Sequence, residues 1–360
     1  MTRIPITILT GFLGAGKTTF LNRLIAEPGF SETAVIVNEF GEAGIDGGLV
    51  AQADDRAFAM SVGCLCCTVS GDVRLTLLRL LEDAEKGRGP HFDRVVIETT
   101  GVADPQPLLQ TFMTNELMLN HFTLNGMITL VDAVNGADAI ARFAEAHRQV
   151  AVADLVLLTK TDLARDPVSR RDVDRLRARL AEINPNALVQ SVDEAEAQTV
   201  FSRAAFDPAG KPPDVREWLR FEASGHDHHA HDHSHSHAHD VNRHGDTATA
   251  YCFGADKGVD PAQLERAIAA LQNSFGRDLL RVKGLVELAG YPNRPRVLHV
   301  VGHVASPARM LDGWPDGIER TRLVIIVAGP GRAEAPTMLQ QLLPELTEFI
   351  SDPAATEAIA

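Results

Sequence analysis

Residues 11–18 read Gly-Phe-Leu-Gly-Ala-Gly-Lys-Thr, the full spacing of a phosphate-binding loop, and the flanks are those such a loop requires. Before it, Ile4–Thr10 is short, apolar and β-branched, as a buried parallel strand is. After it, Thr18–Glu27 sets Phe20, Leu21, Leu24 and Ile25 on one helical face and stops at Pro28-Gly29. Strand, glycine loop and helix N-terminus in that order aim backbone N–H groups and a positive helix end at polyphosphate. Gly11, Gly14, Ala15 and Gly16 are therefore expected to cradle a nucleoside triphosphate. Lys17 should reach its β- and γ-phosphates, and Thr18, followed by Thr19, should hold Mg²⁺. A ligand-free glycine turn would leave the strand before it and the Lys17-Thr18-Thr19 run unexplained.

The same strand–helix rhythm continues for some 200 residues. Apolar runs at Ala34–Val37, Val95–Ile97, Gly126–Val131, Leu155–Leu158 and Leu188–Val189 alternate with amphipathic stretches at Val73–Ala84, Pro105–Asn115, Ala137–Ala151 and Pro167–Ile183. This predicts an α/β P-loop domain over residues 1–205, a mostly parallel sheet flanked by helices, with ligands beyond the carboxyl ends of the strands. Residues 206–246 break the rhythm with Pro208, Gly210, Pro212, Pro213 and a histidine tract, and read as a flexible His-rich linker. Residues 247–352 predict a smaller α+β domain. Its strands are expected at Ala248–Phe253 and near Leu279–Leu288, Arg296–Val301 and Leu323–Val327, with helices at Pro261–Phe275 and Pro336–Ile350.

A chain of 360 residues is long enough for two cores. No apolar run approaches the roughly 20 residues that span a bilayer, so no membrane association is expected. The first strand is read as beginning within a few residues, so no signal peptide is expected. Three of the four cysteines crowd into residues 64–67, unlike a disulfide framework, and a cytoplasmic protein is the expectation. A net charge of −14 argues against a nucleic-acid partner, whose phosphates need clustered Lys and Arg.

Base preference is written at Thr159-Lys160-Thr161-Asp162, where the Leu155–Leu158 run ends. A carboxylate there can accept from guanine N1–H and the exocyclic amine, donors that adenine does not present in that arrangement, while the Lys160 stem lies along the base. The alternative for Asp162 is a helix N-cap. The run Val95-Val96-Ile97-Glu98-Thr99-Thr100-Gly101 ends a buried strand with a carboxylate, two hydroxyls and a glycine. Glu98 suits Mg²⁺ or its waters, and the Gly101 amide suits the γ-phosphate, so that a conformational switch could hang on it. Asn38-Glu39-Phe40-Gly41-Glu42 ends another strand-like run, with Glu39 placed to touch Mg²⁺ or position water; an ordinary polar strand exit is its alternative.

Cys64, Cys66 and Cys67 in Gly-Cys-Leu-Cys-Cys put three thiolates within four residues, a soft donor set for Zn²⁺ or a similar ion. Three ligands with a vacancy suit capture and release, and Glu42 or Glu39 could supply a fourth if the two loops lie side by side. Buried structural cysteines or a redox pair are the alternatives. Nine of the fourteen histidines fall between residues 226 and 244. His226, His228, His229, His231, His233, His235, His237 and His239 are read as a metal-buffering tract, against a merely solvated linker. His299 and His303 flank an apolar run and read as structural, and Cys252 as a core residue.

Taken together, GFLGAGKTT at 11–19, NEFGE at 38–42, GCLCC at 63–67, ETTG at 98–101, TKTD at 159–162, the His-rich linker and a small C-terminal domain resemble the CobW-type GTPases. These are grouped with the metal-insertion GTPases HypB and UreG in the SIMIBI class. The resemblance covers essentially the whole chain. It implies slow, metal-coupled GTP hydrolysis that loads a divalent metal, zinc or else cobalt for cobalamin synthesis, into a client metalloprotein. It also implies GTP, Mg²⁺ and Zn²⁺ (or Co²⁺) as cofactors and pairing of two copies across their nucleotide sites as a homodimer. By that analogy Gly14, Gly16, Lys17, Thr18 and Thr19 hold phosphates and Mg²⁺, Glu98 and Gly101 form the catalytic side with Lys17 and Glu39, Lys160 and Asp162 read guanine, and the three cysteines hold the metal. One departure is Thr159, where many GTPases carry Asn; loss of that amide is expected to loosen the network between loop and base. A plain P-loop kinase or ligase with a structural zinc, and a non-enzymatic store built on the His tract, are the rival readings.

Overall fold

The computed structural model describes residues 3–27, 30, 32–38, 58–59, 65–69, 72–195, 200–201, 248–314 and 320–349. They form two sheets. The first contains β1 (Ile4–Gly11), β2 (Thr33–Asn38), β3 (Phe58–Ala59), β4 (Leu65–Val69), β5 (Arg94–Thr99), β6 (Phe122–Asp132), β7 (Leu155–Thr159) and β8 (Leu188–Ser191), in the order β3-β4-β2-β5-β1-β6-β7-β8. Every pairing is parallel except β3 with β4. Helix α1 (Lys17–Ile25) packs on one face, where Phe20, Leu21 and Leu24 meet Leu9, Val35, Val96 and Leu157. The other face is covered by α2 (Val73–Glu85), α3 (Gln106–Thr114), α4 (Glu116–His121), α5 (Gly136–Arg142), α6 (Ala144–Ala151) and α7 (Pro167–Ile183). Strands buried on both faces carry no polar alternation, which is why β1, β5 and β7 read as continuous apolar runs.

The second sheet is antiparallel: β9 (Thr249–Ala255), β10 (Leu279–Leu288), β11 (Tyr291–Val301), β12 (Val304–Ala305), β13 (Arg309–Met310), β14 (Thr321–Val327) and β15 (Thr347–Phe349), in the order β12-β11-β10-β14-β9-β15 with β13 on β11. Helices α8 (Pro261–Phe275) and α9 (Ala335–Leu342) cover its outer face through Leu264, Ile268, Leu271 and Leu339. Its inner face packs on the first domain, since Cys252, Leu280, Val301, Val324 and Ile326 belong to the same apolar core as Ile8, Ile97 and Val156.

Three expectations change. Ala137–Ala151 is not one helix: Phe143 is extended (φ −122, ψ 120) and separates α5 from α6, its ring stacked on Phe12 at 4.7 Å between centroids. The helix expected over Pro336–Ile350 ends at Leu342, because Pro344 pushes Leu343 out of helical geometry (φ −132, ψ 75), and Thr347–Phe349 then joins the sheet beside β9. Cys66 and Cys67 are not loop residues; Leu-Cys-Cys-Thr-Val forms β4 beside β2.

Candidate nucleotide site

The carboxyl ends of β1, β5, β6 and β7 converge on α1. Gly16 holds a left-handed conformation (φ 85) that a side chain would strain, and from it the chain turns into the helix at Lys17. No acidic residue of α1 itself occupies its first turn; the carboxylate that meets this end of the helix is Glu98 of β5. The Lys17 ammonium folds over the loop and donates to the Gly11 carbonyl at 2.8 Å. Burial lowers its pKa from the usual ammonium value, and the Glu98 carboxylate opposes that shift. Thr18 Oγ1 donates to Glu98 Oε1 at 3.0 Å, so the hydroxyl and carboxylate expected to share Mg²⁺ meet at one point. Glu98 is buried, and beside it Thr99 Oγ1 donates to Thr10 Oγ1 at 2.8 Å, locking β5 to β1 just before the loop. Gly101 lies flat against the loop: a Cβ there would sit 2.8 Å from the Leu13 nitrogen.

The side expected to take the base is built by β6, β7 and β8. Lys160, left-handed at φ 59, donates from Nζ to Asp132 Oδ2 at 2.7 Å. Burial alone would raise the Asp132 pKa, yet bonds from Lys160, the Asn135 side chain and the Val134 and Asn135 amides outweigh it and hold it below the usual carboxylate range. Asp162 is exposed, and its carboxylate accepts no hydrogen bond among the described residues; Asp166 is the residue that caps α7. Thr159, read from the sequence as a missing amide, has a partner of its own. Its hydroxyl donates to the Ala15 carbonyl at 2.9 Å and ties the base-side strand to the phosphate loop.

Two supporting groups have no role that the sequence assigns. Asp132, which aligns Lys160, stands out in the sequence only as one of the polar residues at the strand carboxyl ends, after the Gly126–Val131 run. The turn Val192–Glu194 after β8 is held by Arg23 of α1, whose Nη2 donates to the Val192 and Ala195 carbonyls at 2.8 and 2.6 Å. Thr161 Oγ1 reaches Ser191 Oγ and Asp193 Oδ2 across that turn, both at 3.1 Å.

Strands β2 and β4 are hydrogen-bonded neighbours, with Val35 opposite Cys66, Ile36 opposite Cys67 and Asn38 opposite Val69. Cys64, Glu39, Glu42 and the eight tract histidines from His226 to His239 lie outside the described residues. Among the described residues no cluster of three or more His, Cys, Asp or Glu could hold a metal, and no helix is long and apolar enough to cross a membrane.

Fold and site together define a P-loop nucleotide-binding protein with an antiparallel C-terminal domain packed against it. Residues 5–191 match the CobW/HypB/UreG nucleotide-binding domain and residues 248–343 the cobalamin synthesis protein cobW C-terminal domain, and the chain belongs to that family. It is 35% identical over 296 residues to the zinc chaperone YjiA of Escherichia coli (strain K12), covering 82% of this chain and 85% of YjiA. It is 30% identical over 356 residues to the zinc chaperone CobW of Sinorhizobium sp, covering 90% and 92%. The crystal structure of the Zn(II)-bound YjiA GTPase superposes with a TM-score of 0.69 at 31% identity, covering 95% of this chain and 99% of that one.

Proposed function

We propose that this chain is a GTP-hydrolysing metallochaperone that takes up a divalent transition metal, zinc before cobalt, at Cys64, Cys66 and Cys67 and passes it to a client metalloprotein. The observation that carries the nucleotide half is the meeting of Thr18 with Glu98 beneath the folded Lys17, a pre-arranged seat for Mg²⁺ and polyphosphate. Lys17 leaves the Gly11 carbonyl to neutralise phosphate oxygens. Thr18 and Glu98 hold the metal or its waters, and the Gly101 amide answers the γ-phosphate. The exposed Asp162 reads guanine.

The metal half rests on the chemistry of the three thiols and on the relatives named zinc chaperones. Their strand neighbours the one that leads into Asn38–Glu42, so metal and nucleotide would share β2 as a common border. Glu39 would complete the catalytic set and Glu42 the metal set. The histidine tract would raise the local metal concentration upstream, and two copies would pair during the cycle.

Metal-dependent GTP turnover tests the reading. Wild type and a triple variant (Cys64→Ser, Cys66→Ser, Cys67→Ser) are compared in buffered Zn²⁺, Co²⁺ and Ni²⁺. Zn²⁺ is expected to change turnover in the wild type and not in the variant. A response to Co²⁺ alone would reassign the cargo. Indifference of both proteins to every metal would favour the store or the plain P-loop enzyme.

A further inference from the structure

Helix α6 stands between the γ-phosphate side of the site and the C-terminal sheet, and two consecutive residues on it engage both. Gln149 is fully buried, and its Nε2 donates to the Gly101 and Ala103 carbonyls, each at 3.1 Å. Its own backbone carbonyl accepts from Thr129 Oγ1 at 2.8 Å, which pins this part of α6 to β6. Next to it, Arg148 reaches Asp104 at 3.5 Å through one terminal nitrogen and Asp278 at 3.7 Å through the other. Asp278 closes the short turn that leads into β10 of the C-terminal sheet. A second tie lies in the helix after Asp104, where Gln110 of α3 donates from Nε2 to the Val301 carbonyl of β11 at 3.1 Å.

The loop from Gly101 to Asp104 is thus gripped from three sides. Leu13 of the phosphate loop leaves no space for a side chain at Gly101, Gln149 holds two of its carbonyls, and Arg148 joins its far end to Asp278. A movement of Gly101 toward a phosphate must carry these bonds along or break them. Packed elements respond to such a demand by shifting as units.

We propose that Gln149 and Arg148 are positioning residues that couple the Gly101–Asp104 loop to the C-terminal domain, so that the γ-phosphate is registered at Asp278 and Val301. This rests on the GTP reading above. By linkage, loosening the Asp278 contact changes the affinity for GTP relative to GDP by the factor with which nucleotide changes that contact.

Asp278→Asn is the informative variant, because the residue is partly exposed and lies outside the nucleotide site. Affinities of the full chain for fluorescent GDP and a fluorescent non-hydrolysable GTP analogue are measured for wild type, Asp278→Asn and Asp278→Glu. Hydrogen exchange is followed over residues 276–279 and 301–303 in both nucleotide states. Asp278→Asn is expected to keep its GDP affinity and to change the analogue-to-GDP affinity ratio by about fivefold, the low end of ordinary coupling. Asp278→Glu is expected to restore the ratio. In wild type, exchange should differ between the two nucleotides, and in Asp278→Asn that difference should shrink. Gln149→Glu, which sets a carboxylate against two carbonyls, should shift the ratio further; if that buried variant does not fold, the Asp278 pair still decides. An unchanged ratio together with an unchanged exchange difference would overturn the coupling and leave the GTP reading standing. A wild type that binds neither guanine nucleotide would sink both.

Discussion

Eighty positions separate Thr18 from Glu98, and their hydrogen bond makes one point out of two motifs that the sequence shows as distant words. The words themselves were legible because each combines a residue type with a strand end. Their supports were less so: Asp132 stands at a strand end without a partner that the sequence names, and nothing local distinguishes Gln149 from any other polar residue on a core-facing element. Thr159 teaches the same lesson: read alone it is a missing amide, whereas in place its hydroxyl bonds the Ala15 carbonyl. Asp162 carries the sharpest residue-scale test. On the proposed reading its exposed carboxylate is an acceptor pair for the two donors of guanine, and a carboxamide there would meet one of them with an N–H. Asp162→Asn is expected to weaken GTP binding by about a hundredfold or more and to improve binding of XTP, whose 2-oxo group accepts where guanine donates. Competition binding with GTP, XTP and ATP checks it; an undiminished GTP affinity would place the base elsewhere.

At the scale of elements, the legible parts were those where burial on two faces erased alternation. The parallel strands β1, β2, β5, β6, β7 and β8 follow from this, and so does Thr321–Val327, antiparallel yet wholly buried because the first domain covers one side and α8 and α9 the other. Helix Pro261–Phe275 was legible at both ends, with Asp260 accepting from the Gln263 amide and Gly276 closing it. Elements that depended on distant partners were missed. β15 needs β9 beside it, and the break at Phe143 needs Phe12 to stack on. The turn held by Arg23 offers the element-scale test, since on the proposed reading it braces the side that takes the base. Arg23→Ala is expected to lower affinity for GTP and GDP alike by about tenfold, in line with the loss of charged hydrogen bonds to two carbonyls. Affinity for inorganic pyrophosphate should stay unchanged. Equal losses for all three ligands in binding titrations would show that the defect lies in α1 itself.

For the molecule as a whole, the decisive contact is ionic and buried. Asp154, just before β7, accepts from Arg281 at 2.6 Å, from Lys283 at 2.8 Å and from the Met127 amide at 2.9 Å, and His299 stands opposite Lys283 in the C-terminal sheet. Burial opposes the Asp154 charge, but Arg281 and then Lys283 outweigh it and hold its carboxyl far below the usual range. Burial, and then repulsion from Arg281, push the His299 imidazole down from its ordinary 6.5 to about 3. Both shifts act in one direction. Between about pH 6.5 and 3 the unfolded chain binds a proton at His299 that the folded chain refuses, and below about pH 4 it does the same at Asp154. The stability that these two groups carry is therefore expected to be complete above pH 6.5 and to fall as the solution is acidified, with His299→Gln flattening the upper part of that slope; Lys283, pushed down by burial to about 7, adds a further rise above pH 7. Asp154→Ala, which strands two buried cations, is expected to cost about 3–5 kcal/mol at pH 7. Urea unfolding at pH 7, 5.5 and 4.5 checks both, and a wild-type midpoint that does not move with pH would refute the assignment.

The apolar core that runs from Ile8 and Val156 through to Val324 and Ile326 makes no distinction between the two sheets. Two polypeptides made separately, one for each sheet, are therefore expected to find each other along that seam and to travel as one particle.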